Sequence, residues 1–197
     1  MGKVEGPGSS KVGKQLCKQS ESIEKYKSVN LEITYLSKNK NQRFNMINKD
    51  IRLGKGLGKI KFGLTMKEVE ELIGEPEEIE ESEEDDEFEH QAWNYWEEGY
   101  SLYFDKEDDY RLSCIETANR EVQLWGERIF EMSPDQILQL FADNNMHNPE
   151  EEEMEGGETR ISFEKEMIDL YFDEDQLIAI NFGVFINDDL EVAWPEK

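Results

Sequence analysis

The apolar positions of this chain fall into two kinds of run, and the order of those runs repeats. Within Lys59 to Pro76, Val69, Leu72 and Ile73 recur at helical spacing, which marks one face of a short amphipathic helix. Thr65 followed by Glu68 forms a capping box, in which the hydroxyl and the carboxylate each take a backbone N–H of the first turn. Leu64 and Val69 flank the cap as a hydrophobic staple, and Gly74 with Pro76 stops the helix. The pattern predicts a helix over residues 65–73. Beyond it the apolar positions alternate. Trp93 and Tyr95 share one face of a strand, and Tyr100, Leu102 and Phe104 share one face of the next. Strands are predicted over residues 91–96, 100–105 and 112–117.

A shift of 68 positions lays this design on the second half of the chain. Ser133 then replaces Thr65, Pro134 takes the first helical position, where a missing N–H costs nothing, and Gln136 replaces Glu68. Ile137, Leu140 and Phe141 replace Val69, Leu72 and Ile73, while Leu170-Tyr-Phe-Asp173 replaces Leu102-Tyr-Phe-Asp105. Three more strands are predicted over residues 160–164, 167–173 and 177–183. The expected fold class is α+β, built of two tandem αβββ repeats over residues 51–118 and 119–197, with the helices packed on one face of an antiparallel sheet. Trp125 is expected in the core between the repeats. Leu190, Val192 and Trp194 alternate near the C-terminus, as if to add a strand or wrap an edge.

Charge divides the chain differently. Residues 1–50 hold ten Lys and Arg against five Asp and Glu, whereas residues 51–197 hold 12 against 42. The first 50 residues therefore read as a basic arm, largely disordered at its Gly-, Ser- and Lys-rich start. Val29, Leu31, Ile33 and Tyr35 alternate within it as a short strand would. The arm is either an extension foreign to the repeats or a segment that folds back on the acidic body. The net charge of −25 disfavours nucleic acid and anionic membrane surfaces, because phosphate binding rests on Lys and Arg. It favours basic partners, which such a field steers inward. The runs 75–90 and 148–158 are dominated by Glu and Asp and are expected as solvated, mobile loops.

Little in the pattern points to catalysis. Leu53-Gly-Lys-Gly-Leu-Gly-Lys59 lacks the spacing of a phosphate loop, with Ile60 where Ser or Thr would hold Mg²⁺, so it reads as a lead-in loop. The acidic runs lack the ligand pattern of a calcium loop. His90 and His147 lie beside those runs rather than in an apolar cleft suited to a general base. Cys17 and Cys114 are far apart in sequence and read as free thiols in a reducing compartment. No apolar run approaches the length of a membrane span, and no signal peptide is read at the start. The expectation is a cytoplasmic protein that is not an enzyme, with no cofactor and no metal.

The sheet face turned away from the helices carries the candidate binding residues: Trp96 and Tyr103 in the first repeat, Glu164 and Tyr171 in the second. Aromatic rings among carboxylates suit a protein-binding patch. Packing of the rings between the repeats, or under the arm, accounts for them equally well.

The unit Phe62-Gly-Leu-Thr-x-x-x-Val-x-x-Leu-Ile-Gly-Glu-Pro76, followed by Trp93-x-Tyr95 and Leu102-Tyr-Phe-Asp105, resembles the helix-plus-sheet repeat of the BamE/SmpA and beta-lactamase-inhibitor-protein group. The tandem form resembles the two-repeat inhibitor, and the chain is also similar to small acidic bacterial proteins of the immunity type. The resemblance spans residues of about 57–185 and implies one continuous sheet whose concave side holds a target. The inhibitor is secreted and disulfide-bonded, and BamE-type proteins carry a lipidated cysteine after a signal peptide. Neither feature is read in this chain, and a cytoplasmic binding role survives both departures. What the resemblance implies is a noncatalytic, immunity-like inhibitor that occludes a basic protein, such as a nuclease toxin, through Trp96, Tyr103, Glu164 and Tyr171. The alternative is a structural or assembly adaptor of the BamE-like kind.

Overall fold

A computed structural model describes residues 49–82, 89–154, 156–187 and 191–196. The expected strand over Val29 to Tyr35 and the disorder expected of the arm lie outside the described residues, as does Cys17. The chain first forms β1 (Asp50–Arg52), β2 (Gly56–Leu57) and β3 (Ile60–Lys61), so the Gly-rich lead-in is built into sheet. Helix α1 (Met66–Ile73) follows, then β4 (Glu78–Glu81), β5 (His90–Tyr95), β6 (Tyr100–Asp105), β7 (Arg111–Thr117) and β8 (Gln123–Leu124). Helix α2 (Pro134–Asp143) precedes β9 (Glu150–Glu153), β10 (Thr159–Phe163), β11 (Ile168–Asp173) and β12 (Gln176–Gly183). A small hairpin of β13 (Phe185–Ile186) and β14 (Val192–Ala193) ends the described chain.

Both helices begin as their sequences dictate. Thr65 and Ser133 accept from the N–H of Glu68 and Gln136, whose side chains return the bond to the cap N–H. Gly74 ends α1 with φ +92°, and its carbonyl accepts from the Tyr95 hydroxyl at 2.9 Å. The helices lie on the sheet through Val69, Ile137 and Phe141, all fully buried. Phe141 stacks on Phe163 with ring centres 4.2 Å apart. Trp125 packs edge-on against Phe141 but stays 36% exposed, at the margin of the core rather than inside it.

The expectation of an α+β fold made of two αβββ repeats is not met. The described residues are mostly β: fourteen strands in sheets of four, eight and two, against two α-helices. Each half contributes four strands rather than three, and the halves are not separate compact units. The eight strands run β4-β5-β6-β7-β12-β11-β10-β9 in one continuous antiparallel sheet. The outermost strands, β4 and β9, come from the glutamate runs expected to be loops. The reason is positional. An edge strand has water on its open side, and charge there also blocks pairing with another chain, so a run of Glu can be extended and hydrogen-bonded without burial. One apolar cluster extends from Ile51 to Val184 and draws on both halves.

The two halves nevertheless match closely in register. A bulge falls between Tyr103 and Phe104 in β6 pairing and between Tyr171 and Phe172 in β11 pairing, 68 residues apart. The connection after β6 is three residues longer than that after β11 (residues 106–110 against 174–175), so Leu112 of β7 corresponds to Leu177 of β12. At the seam, Ile115 pairs with Phe182, Thr117 with Ile180, and Glu116 with Asn181. Under that correspondence Glu116 and Asn181 are equivalents that face each other, and a local two-fold axis passes between them.

Candidate functional site

Strand periodicity sorts the sheet into two faces. Tyr100, Leu102 and Phe104 with Ile168, Leu170 and Phe172 enter the core under α1, α2, the four-stranded sheet and the C-terminal hairpin. The intervening residues form the other face. On β6 and β11 these are Ser101, Tyr103 and Asp105, and Asp169, Tyr171 and Asp173. Cys114 and Glu116 of β7 meet Ala179 and Asn181 of β12 between them. His90, Ala92 and Asn94 of β5 and Arg160 and Ser162 of β10 lie outside these, and register places Glu78, Glu80, Glu150 and Glu152 of the edge strands at the rims.

This face is strongly acidic. Its described positions hold eight carboxylates (Glu78, Glu80, Asp105, Glu116, Asp169, Asp173, Glu150 and Glu152) and one guanidinium, that of Arg160. Arg160 bonds Glu152 at 2.7 Å and lies 3.9 Å from the Asp169 carboxylate. Asp169 is fully buried and accepts from the Tyr171 hydroxyl at 3.4 Å. Burial raises its pKa, opposed by the Ser162 hydrogen bond, the Arg160 charge and the Tyr171 hydroxyl. Asp105 is raised in the same way, with a bond from Ser113 and the nearby His90 opposing. At the centre Cys114 donates to the Asn181 amide oxygen at 3.1 Å. Among the described residues, Asp169 Oδ1 and Asn181 Nδ2 meet no hydrogen-bonding group, and each is costly to keep so.

Three of the four predicted site residues share this face. Trp96, just past β5, is half-buried and donates its indole N–H to Glu78 at 3.1 Å. Tyr103 and Tyr171 stand on opposite sides of the seam, three strand spacings or about 14 Å apart, with the small side chains of Cys114 and Ala179 opposite them. They are 6% and 0% exposed, so neither is an open aromatic in this state. Glu164 belongs to a 3-10 turn, Glu164–Glu166, and is exposed beyond the end of β10. Sequence reasoning missed Asp105, Asp169 and Glu116. The signal was present, because Asp105 and Asp169 sit two residues from Tyr103 and Tyr171 and must share their face.

His90 opens β5 beside Tyr103, ring centres 6.3 Å apart, while His147 is exposed after α2. Among the described residues, no three His, Cys, Asp or Glu side chains are grouped to hold a metal ion. Cys114 is buried, at 5% exposure. No described helix is long and apolar enough to cross a membrane.

Comparison with known proteins adds little. No family model and no curated protein matches this chain. Among solved structures, the 1.5 Å crystal structure of an extracellular protein containing a SCP domain, from Bacillus anthracis str. Ames, superimposes with a TM-score of 0.39 at 14% identity. The superposition covers 83% of this chain and 54% of that one, so this chain spans about half its length.

Proposed function

We propose that this chain is a noncatalytic, cytoplasmic binding protein that occludes a basic partner protein, in the manner of an immunity-type inhibitor. The observation that carries the reading is the charge of the single continuous sheet face, eight carboxylates against one guanidinium. Such a surface accelerates encounter with a basic protein and rejects acidic ones. The rims, exposed Glu78 and half-buried Glu80 on one side and exposed Glu150 to Glu153 on the other, make first contact. Trp96 lies at that rim, while Tyr103 and Tyr171 stand nearer the centre of the face, where large aromatics carry most binding energy when desolvated.

The test uses the full chain as bait in an extract of the source cell, beside a Glu78→Gln/Glu80→Gln/Glu150→Gln/Glu152→Gln variant. One basic protein should be retained by wild type, its association slowed about tenfold by the four substitutions and by raising salt, and its own activity lost on binding. A captured protein whose on-rate ignores both changes overturns the reading. Recovery of one multi-protein assembly by both baits would favour the adaptor alternative.

A further inference from the structure

Charge is unevenly spread over the folded body. Residues 51–67 hold Arg52, Lys55, Lys59, Lys61 and Lys67 and no carboxylate, although residues 51–197 hold 12 Lys and Arg against 42 Asp and Glu. Four of these cations belong to the small sheet. Arg52 closes β1, Lys61 closes β3, and Lys55 and Lys59 occupy the turns on either side of β2. All four are exposed.

Strand pairing fixes where this charge lies. Leu57 stands opposite both Ile51 and Ile60, and all three are buried, so this row enters the core. The next row, Arg52, Gly56 and Lys61, is turned outward by alternation. Arg52 donates to the Gly58 carbonyl, which brings its guanidinium to the turn that carries Lys59. Elsewhere the cations are answered: Lys67 meets Glu71, Lys106 meets Glu89, Arg128 meets Glu131 and Arg160 meets Glu152, at 2.6 to 3.7 Å. Among the described residues, Arg52, Lys55, Lys59 and Lys61 form no ion pair. Four like charges held together without counter-charge repel one another, in a chain that has 47 carboxylates to offer. An apolar ring borders them. Phe185 of β13 lies over Gly54, where a Cβ would come within 2.4 Å of the ring, and it stays 37% exposed.

We propose that the outer side of β1, β2 and β3 docks a short acidic segment of a second protein. Its carboxylates meet Arg52, Lys55, Lys59 and Lys61, and a large apolar side chain beside them meets Phe185. The inference is independent of the reading above, which concerns the other side of the molecule. The core keeps the two surfaces more than about 10 Å apart, beyond the screening length of about 8 Å at physiological salt, so each answers to its own charge. Size selects the ligand. Three strands span about 10 Å, which three or four extended residues cross. Beyond them the sign reverses, with Asp50 and Glu121 toward β8 and exposed Glu70 and Glu71 on α1. A nucleic acid would run on over those carboxylates, whereas a short acidic segment ends before them.

The probe is the peptide Asp-Glu-Phe-Glu-Asp, titrated into the full chain and followed by backbone amide shifts in NMR. Shifts should concentrate in residues 52–63 and at Phe185, and should shrink as salt is added. The Lys55→Glu/Lys59→Glu/Lys61→Glu variant should bind at least about tenfold more weakly. Phe185→Ala should bind Asp-Glu-Phe-Glu-Asp no better than the unsubstituted chain binds Asp-Glu-Ala-Glu-Asp. Should the triple variant fail to fold, the shift map of the unsubstituted chain decides. Shifts centred elsewhere overturn the proposal, as does equal affinity in the unsubstituted and triple-variant chains. Tighter binding of a uridine oligonucleotide at the same residues overturns it in favour of nucleic acid. Mass that rises with protein concentration, and does so less in the triple variant, overturns it in favour of a second copy of this chain.

Discussion

Thr65 and Ser133 each accept one N–H that a helix start would otherwise leave without a partner. Thr65→Ala and Ser133→Ala should each cost about 1 kcal/mol, read as a fall in melting temperature of roughly 2–4 °C for a chain of this size. Such caps are legible in sequence because every participant lies within four residues. Asp105 and Asp169 are different. Burial raises both pKa values, so the folded protein binds these protons more tightly than the unfolded chain does. Their contribution to stability is complete below the ordinary carboxylate range, about pH 4, and is lost as pH rises through the raised values. Glu121, lowered by its Lys49 bond, acts in the opposite sense and loses its contribution as pH falls through its lowered pKa. The melting temperature should therefore rise as pH falls from 7 through the raised values and fall back only in stronger acid. Asp105→Asn with Asp169→Asn should flatten that rise; an unchanged slope would show that these carboxyls do not cause it. Alternation with Tyr103 and Tyr171 revealed which face the two aspartates occupy. Whether that face is wet depends on what packs against it, which no local pattern records.

The edge strands β4 and β9 are where local reading and structure part. Amphipathic alternation identifies a strand only when one of its faces is buried, and it identified β5, β6, β7, β10, β11 and β12. All four residues of β9 are exposed, so no alternation survives in its sequence, and a run of glutamates reads as a repelling loop. Backbone pairing with β10, aided by the Arg160–Glu152 ion pair, holds it extended. Charge on such an edge opposes edge-to-edge association. Replacing Glu150 to Glu153 together by Thr should keep the strand while removing that protection. Light scattering should then show mass rising with concentration, where the unsubstituted chain shows none. The same mass for both chains would mean that something other than charge guards this edge.

At the scale of the whole molecule, the seam between β7 and β12 joins the halves into one sheet over one core. Phe182 is fully buried there, paired with Ile115 and in ring contact with Phe62 at 5.9 Å. Phe182→Ala should cost about 3–5 kcal/mol, and because the core is shared, both halves should lose it together. Calorimetry should show one transition whose calorimetric and van't Hoff enthalpies agree. Two resolved transitions, with only the later one shifted by the substitution, would show that the halves melt independently.

The sequence by itself determined the two capped helices, the six inner strands, the faces to which their residues belong, and the opposite charges of the arm and the body. These follow from interactions within a few residues, or from a period that one buried face imposes. Tertiary structure alone decided that the halves merge into one mostly β sheet, that the glutamate runs are its edges, and that Tyr103, Tyr171 and Asp169 are buried. Each of those outcomes is set by pairing and covering between segments tens of residues apart, where the partner's identity is written in neither segment alone.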